Sequence, residues 1–159
     1  MCTFFMGDSM KYNEKYMDLA YKEALKAFKL GEIPVGCVVV KDDVIIAKGY
    51  NLKEKKLCVI DHAEMRCIAK ASKKLKNWRL DGCDIYITLE PCPMCASAIK
   101  QARISNVYCG CSTNDRDSEL CAKIFDTVDR NNRVSFFSNL DSNRCSELLE
   151  NFFKKRRNM

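Results

Sequence analysis

The sequence lacks an apolar run long enough to cross a membrane. Apolar residues make up 47% of its 159 residues, but they occur in short blocks, whereas a membrane-spanning helix needs about 20 in succession. The first residues, "MCTFFMGDSMKYNEKY", also lack the basic start, continuous apolar core and small-residue cleavage site of a signal peptide. These absences predict a protein of the cytoplasm.

Internal repeats, low-complexity segments and interdomain linkers are also missing from the sequence. A chain of 159 residues has the length of one domain, since domains commonly run to roughly 100–200 residues. The predicted division is a single domain over residues 14–159, preceded by an N-terminal extension over residues 1–13 that could be flexible. A domain of this size can bury a proper core without disulfide bonds.

The eleven cysteines do not form the pattern of a disulfide-stabilised secreted protein. Their number is odd, the chain is not short, and no export signal precedes it. Most of them lie in apolar stretches such as "PVGCVVV" and "MRCIAK", where a free cysteine behaves as a small buried hydrophobic residue. Reduced thiols are therefore predicted, and Cys92 and Cys95 are set apart from the others by their spacing.

Helical and strand-like segments alternate along the chain. A hairpin with a polar turn at residues 41–43 comes early, and the later βαβ spacing predicts helices packed against a largely parallel sheet. The predicted helices cover residues 13–30, 62–75, 92–102, a segment ending at 128, and 142–156, and the predicted strands cover 34–40, 44–50, 83–89, a segment from 106, and 133–137.

The stretch "LEPCPMCASA" places two thiols three residues apart where a strand meets a helix. With Pro91 at the junction, Cys92 and Cys95 are expected on the first helical turn with both sulfurs on one face. Unpaired backbone N–H groups and the helix dipole favour thiolates at such a position. A CxxC motif alone fits a redox dithiol, half of a zinc ribbon or two packed cysteines.

A second motif, "DHAEMRCIAK", contains His62, the only histidine in the chain. One imidazole and two thiolates leave the fourth zinc position open, as in catalytic rather than structural sites. Glu64 can then reach a water in the open position and carry its protons without binding the metal. The combination H-x-E with P-C-x-x-C is typical of zinc-dependent nucleobase deaminases. We therefore predict His62, Cys92 and Cys95 as zinc ligands and Glu64 as the catalytic proton shuttle.

The charge of the chain favours an anionic partner. Lys and Arg number 27 against 21 Asp and Glu, a formal net charge of +6. Basic residues cluster with aromatic ones in "KASKKLKNWR" (70–79) and "FFKKRR" (152–157), a combination that suits RNA. Solvated helix faces are the alternative explanation for both clusters.

The chain as a whole resembles the bacterial tRNA-specific adenosine deaminases of the cytidine-deaminase-like superfamily. The resemblance covers residues 16–157 and rests on "GEIPVGCVVV", "GYN", "HAE", "NWRL", "TLEPCPMCASAI" and "NFFKKRR". It implies a three-layer α/β/α fold with a central mixed sheet of about five strands, one Zn²⁺ per subunit, and a homodimer. It also implies that the wobble adenosine of a tRNA anticodon is converted to inosine with release of ammonia.

The resemblance further implies a set of substrate contacts. Asn51 would contact the target nucleoside, or would only form a turn. The base pocket would be lined by Ile33, Pro34 and Val35. The anticodon loop would be contacted by six residues at the C-terminus: Phe152, Phe153, Lys154, Lys155, Arg156 and Arg157. The alternative is that the two phenylalanines belong to the core.

Two segments depart from the family pattern. "KLCVID" replaces an Asp-Pro pair before the histidine, and "STNDRDSELCAKIFD" (112–126) replaces a stretch rich in Gly and Ala. A deaminase of a free nucleobase, nucleoside or nucleotide of guanine, cytosine or cytidine type would use the same zinc site and remains an alternative. So do a structural zinc closed by Cys109 or Cys111, and a redox dithiol, although neither explains Glu64.

Overall fold

A mixed five-stranded sheet forms the centre of the molecule, which is a computed structural model that describes residues 11–113, 116–127 and 133–159. Its strands are β1 (Gly36–Lys41), β2 (Val44–Tyr50), β3 (Cys83–Leu89), β4 (Asn106–Cys111) and β5 (Ser135–Phe137). In the order β2-β1-β3-β4-β5, β1 is antiparallel to β2 and β3, whereas β4 is parallel to β3 and β5. The predicted hairpin and mixed sheet are confirmed. The sheet is less parallel than the alternation indicated, because the first hairpin strand pairs antiparallel with β3.

Helices precede, connect and follow the strands. Those in the described residues are α1 (Glu14–Lys29), α2 (Lys53–Lys56), α3 (Ala63–Leu75), α4 (Pro93–Gln101), α5 (Arg116–Asp126) and α6 (Ser142–Arg157). All but α2 follow the sequence prediction closely, and the predicted end of α5 at residue 128 lies outside the described residues. Within the described ranges, no helix is long and apolar enough to cross a membrane.

The two faces of the sheet carry different helices. Successive strand residues point to opposite faces, so Ile85 and Ile87 join a core with α3, α4 and α5, whereas Tyr86 joins a second core with Tyr16 and Met17 of α1. Helix α6 lies on the α1 side. The three-layer α/β/α arrangement is thereby confirmed, and the two cores lie on either side of one sheet.

Two glycines allow helices to approach the sheet closely. A Cβ atom at Gly36 would lie 1.9 Å from the backbone oxygen of Ala20 in α1, and one at Gly110 would lie 2.5 Å from the Sγ atom of Cys145 in α6. No other side chain fits at Gly36 without moving α1. The close packing fixes the start of β1, which leads directly out of the residues that line the site.

The described part of the predicted N-terminal extension is bound to the sheet. The backbone N–H of Lys11 donates to the Tyr108 hydroxyl at 3.2 Å, and that of Asn13 donates to the Tyr86 hydroxyl at 3.1 Å. The Asn13 side chain accepts from the Lys15 N–H and caps α1. Residues 1–10 of the extension lie outside the described residues.

Candidate metal centre and substrate pocket

The predicted metal ligands meet where α3 and α4 begin. His62 is the N-cap of α3 and Cys92 is the N-cap of α4, both in extended backbone, while Cys95 lies in the first turn of α4. Pro93, rather than Pro91, is next to the cap inside the helix, since its fixed φ and missing N–H suit a first-turn position. Cys92 is therefore a cap rather than a helical residue. The expected clustering of the two sulfurs still holds, because the three ligand atoms lie within 4.8 Å of one another.

The distances among these atoms fit a tetrahedral zinc ion. The Nδ1 atom of His62 lies 3.7 Å from the Cys92 Sγ and 3.5 Å from the Cys95 Sγ. Zn–S bonds of about 2.3 Å and a Zn–N bond of about 2.05 Å at a tetrahedral angle separate nitrogen from sulfur by about 3.6 Å. The side chains are therefore arranged to hold the ion without rearrangement.

The electrostatics of the three ligands also favour a cation. A hydrogen bond from Cys95 and a weaker one from His62 lower the pKa of the Cys92 thiol to about 4. The bond with Cys92 raises the pKa of Cys95, and a hydrogen bond with Cys92 likewise raises the pKa of His62. Hydrogen bonds from Cys95 and His62 thus stabilise the thiolate form of Cys92. A divalent ion can take the place of those protons.

Glu64 lies beside the ligands but is not one of them. Its side chain is only 3% exposed, and burial raises the pKa of its carboxyl group. The Oε2 atom accepts a hydrogen bond from the Cys95 thiol at 3.5 Å. A buried carboxyl group at this place beside the ligands can both take and give a proton, which is what general acid–base catalysis needs.

A pocket of about 210 Å³ opens onto His62, Glu64 and Cys92. Of the predicted base-pocket residues, Ile33 and Val35 line it, whereas Pro34 is buried between them and does not. The strand-like alternation of side chains at this point accounts for the difference. The pocket therefore has an apolar wall opposite the metal ligands.

Asn51 lines the same pocket, and its side chain is used by the backbone. Its Nδ2 group donates to the Ile33 carbonyl at 3.3 Å, and its Oδ1 atom accepts from the Lys53 N–H at 3.2 Å. Both polar groups of the Asn51 side chain therefore hydrogen-bond to the backbone, as expected if Asn51 shapes a turn. The side chain still lies in the pocket lining, so its predicted contact with the nucleoside stays a prediction.

Six further residues line the pocket without belonging to any of the site motifs seen in the sequence. The additional lining residues come from α2, from the end of β3 and from the segment that departs from the family pattern: Lys53, Leu89, Glu90, Pro91, Thr113 and Asp117. Ser118 donates to the buried carboxylate of Glu90 at 2.5 Å and joins that segment to the pocket. The only signal in the sequence was the position of residues 112–126 directly after β4.

The C-terminal tail divides into a packed and an exposed part. Phe152 is buried and its ring centroid lies 6.1 Å from that of Phe28 in α1, as the alternative of a core residue predicts, and its contact with the substrate stays a prediction. Phe153, one helical position later, is 44% exposed, and residues 154–157 are exposed as well. The Lys155 Nζ lies 5.7 Å from the Phe28 ring centroid, which places the tail at the end of α1 that leads to Ile33.

The alternative of a closed structural zinc site is not supported. In the part of the chain that the structure describes, the group of potential metal ligands contains His62, Cys92 and Cys95 but neither Cys109 nor Cys111. The Cys111 thiol donates to the Thr88 carbonyl at 3.4 Å instead. His62 and Cys92 line the pocket instead, so the cluster adjoins open space that a water or a substrate can enter.

Comparison with known proteins identifies the type of site. The family described as the cytidine and deoxycytidylate deaminase zinc-binding region matches residues 10–111. The tRNA-specific adenosine deaminase of Bacillus subtilis is 38% identical over 149 residues, covering 93% of this chain and 92% of that protein.

Two solved structures show the same fold. One, from a study of A-to-I editing by tRNA:A34 deaminases at the wobble position, has 34% identity and a TM-score of 0.79, covering 86% of this chain and 100% of that chain. The guanine deaminase of Bacillus subtilis has 31% identity and a TM-score of 0.63, covering 93% and 95%. The fold is thus that of the two solved deaminases, and the matched zinc-binding region includes His62, Glu64, Cys92 and Cys95.

Proposed function

The chain belongs to the family of zinc-dependent cytidine and deoxycytidylate deaminases, and from this membership we propose that it converts the wobble adenosine of a tRNA anticodon to inosine. The observation that carries the substrate is the similarity to tRNA-specific adenosine deaminases over 93% of the chain. The observation that carries the chemistry is the cluster of His62, Cys92 and Cys95 with Glu64 against it.

Each side chain has a defined task in the reaction. His62, Cys92 and Cys95 would hold a Zn²⁺, which would supply Lewis-acid activation of the attacking water. Glu64 takes a proton from the attacking water and gives it to N1 of the adenine while the water oxygen bonds to C6. Glu64 then takes the proton of the new hydroxyl group on C6 and gives it to the amino group, so that the C6–N6 bond breaks, ammonia leaves and the C6 oxygen becomes a carbonyl. The product carries a carbonyl at C6 and is inosine.

The pocket is suited to a base that has left its stack. A deaminase must extrude its target nucleotide because the reacting carbon cannot be reached inside a stacked loop. Ile33 and Val35 offer apolar surface to the faces of the base, and Asn51 lies where it can contact the nucleoside. The carboxyl group of Glu64 is at the inner end of the same pocket.

The exposed tail is proposed to hold the anticodon loop. Phe153 can stack on an unpaired base, and four successive cations can neutralise phosphates: Lys154, Lys155, Arg156 and Arg157. Phe152 supports this surface from the core, where it contacts Phe28. We further propose that residues 14–159 form one deaminase domain. We also propose that the protein acts in the cytoplasm, where tRNA is modified.

A homodimer with one Zn²⁺ per subunit is part of the proposal. Three apolar side chains between α2 and α3 support it, because Leu57, Val59 and Ile60 are 91%, 65% and 52% exposed. Apolar clusters of this kind on a surface mark association sites. The molar mass in solution, measured by light scattering, should be twice that of the 18.3 kDa chain.

A deaminase of free guanine is the second candidate. It is favoured by the 31% identity to the guanine deaminase of Bacillus subtilis and by the altered segment 112–126, which contributes Thr113 and Asp117 to the pocket. Such an enzyme would not need the basic tail.

A substrate panel separates the two candidates. The zinc-loaded protein is incubated separately with an arginine tRNA transcript carrying a wobble adenosine, with adenosine, with guanine and with cytidine, and ammonia and inosine are followed. Inosine at the wobble position alone supports the tRNA substrate. Turnover of guanine with unchanged tRNA would refute the tRNA proposal and leave the roles of the zinc ligands and Glu64 as they are.

A further inference from the structure

The short helix α2, with the sequence "KEKK", lies at the rim of the pocket and buries none of its residues. Lys53 lines the pocket itself. Within the described residues, the side chains of Lys53, Lys55 and Lys56 form no ion pair. Lys53 thus lies at the opening of the pocket, and Lys55 and Lys56 follow it in the same exposed helix, whose three lysines outnumber its one carboxylate, Glu54.

A buried carboxylate fixes this helix in place. Glu32 is 1% exposed, and its two oxygens accept the N–H groups of Glu54 at 3.2 Å and Lys55 at 2.6 Å. The Asn51 side chain accepts the third N–H, that of Lys53. A four-residue helix has no stability of its own, so these side-chain bonds hold it at the rim.

The pocket itself has more acidic than basic side chains in its lining. Its lining carries the carboxyl groups of Glu64, Glu90 and Asp117, whereas Lys53 is the only lysine or arginine among the described residues that line it. The nearby carboxylate of Asp61 is paired with Arg66 at 3.3 Å. RNA phosphates that approach the opening therefore meet acidic groups inside the pocket and the α2 lysines at its edge.

We propose that α2 is a binding surface for the RNA backbone, in which Lys53, Lys55 and Lys56 contact the phosphates that flank the flipped nucleotide. Glu32 is the positioning residue that holds these lysines at the rim. The inference rests on the proposed RNA substrate. A nucleotide rotated into the pocket keeps its neighbouring phosphates at the opening, and lysine ammonium groups bind phosphates as point charges.

The first test neutralises the lysines. Lys53→Gln/Lys55→Gln/Lys56→Gln is compared with a matched control, Lys15→Gln/Lys22→Gln/Lys48→Gln, which removes the same charge from exposed positions on α1 and β2, outside the pocket lining and both basic clusters. With an anticodon stem-loop RNA as substrate, the α2 variant should raise KM roughly 10-fold. Its binding should also show a salt slope flatter by about one unit for each phosphate that is no longer neutralised. The control should stay close to wild type.

The outcomes separate the two levels of the proposal. If the wild type edits the stem-loop and the two variants behave alike, the α2 inference is refuted while the proposed function stands. If the wild type does not edit any RNA, the proposed function fails and takes the α2 inference with it.

The second test concerns Glu32. Glu32→Gln keeps the size of the side chain but removes one of its two acceptor oxygens, so KM for the stem-loop should rise in the wild-type background. In the α2 lysine variant, the same substitution should change KM little, because the lysines it positions are already gone. Equal effects in both backgrounds would show that Glu32 acts elsewhere. Thermal unfolding of both variants checks that each is folded.

Discussion

The metal centre and the rim of the pocket are built in different ways. The centre consists of two helix starts, at His62 and Cys92, and a carboxylate two residues after the first. The rim consists of α2 and the start of α5, which are held by side chains distant in sequence, such as Glu32 and Glu90. Each half of the metal centre is thus encoded in a short local motif, whereas the rim, where we propose that the substrate is recognised, depends on contacts distant in sequence.

The difference indicates which changes each region tolerates. Altering residues 112–126 changes part of the rim, at Thr113 and Asp117, without touching a ligand. Substitutions in the two regions should therefore differ in what they change, with loss of zinc and activity at the metal centre and weaker tRNA binding at the rim and tail.

The largest effect is expected when a ligand is removed. Cys95→Ala should lower the zinc content far below one ion per chain and abolish deamination, because a site with two protein ligands binds the ion weakly. Elemental analysis of the purified protein measures the zinc directly.

Cys109→Ala is the matched control for this change, since Cys109 is a buried cysteine outside the ligand cluster. It should keep its zinc. Loss of zinc in the control would return Cys109 to the ligand set and contradict an open catalytic site.

The two neighbouring phenylalanines of α6 should behave differently. Phe152→Ala removes a buried ring and should lower the free energy of unfolding by about 3 kcal/mol. Phe153→Ala removes an exposed ring and should leave the stability within about 0.5 kcal/mol while weakening tRNA binding. Urea unfolding and a binding titration measure the two quantities. Equal stability losses would mean that both rings belong to the core.

Neutralising the tail should have a moderate effect on binding. In Lys154→Gln/Lys155→Gln/Arg156→Gln/Arg157→Gln, tRNA affinity should fall and its dependence on salt should flatten, since fewer phosphates are neutralised. Keeping Phe152 and Phe153 in this variant leaves the packing on α1 in place. A salt dependence identical to that of the wild type would remove the tail from the tRNA site.

The smallest effect is expected at the outer rim. Ser118→Ala removes the hydrogen bond to Glu90 and loosens the attachment of α5, so KM for tRNA should rise by about 2- to 5-fold, consistent with the net value of one hydrogen bond. Zinc content should not change. A loss of zinc would show that rim and centre are coupled rather than separate.

Much of this arrangement could be predicted from the sequence, and the failures have physical causes. The ligands and Glu64 were predictable because each lies within a short motif at a helix start. Helix α2 was not, because its four residues are helical only through bonds to Glu32 and Asn51. Phe152 and Phe153 differ by one helical position, and only the packing on Phe28 decides which is buried. The antiparallel pairing of β1 with β3 likewise depends on the whole sheet.

The role of Glu64 as a proton shuttle that does not bind zinc is tested by comparing the wild type with Glu64→Gln. Zinc content and wobble inosine are measured in the same preparations. Glu64 contacts the ligand Cys95 but does not belong to the ligand cluster. We expect one Zn²⁺ per chain in both proteins. The editing rate should be at least about 100-fold lower in the variant, because the proton shuttle is lost. Loss of zinc from the variant, or editing at the wild-type rate, would contradict the assignment of Glu64 as the proton shuttle.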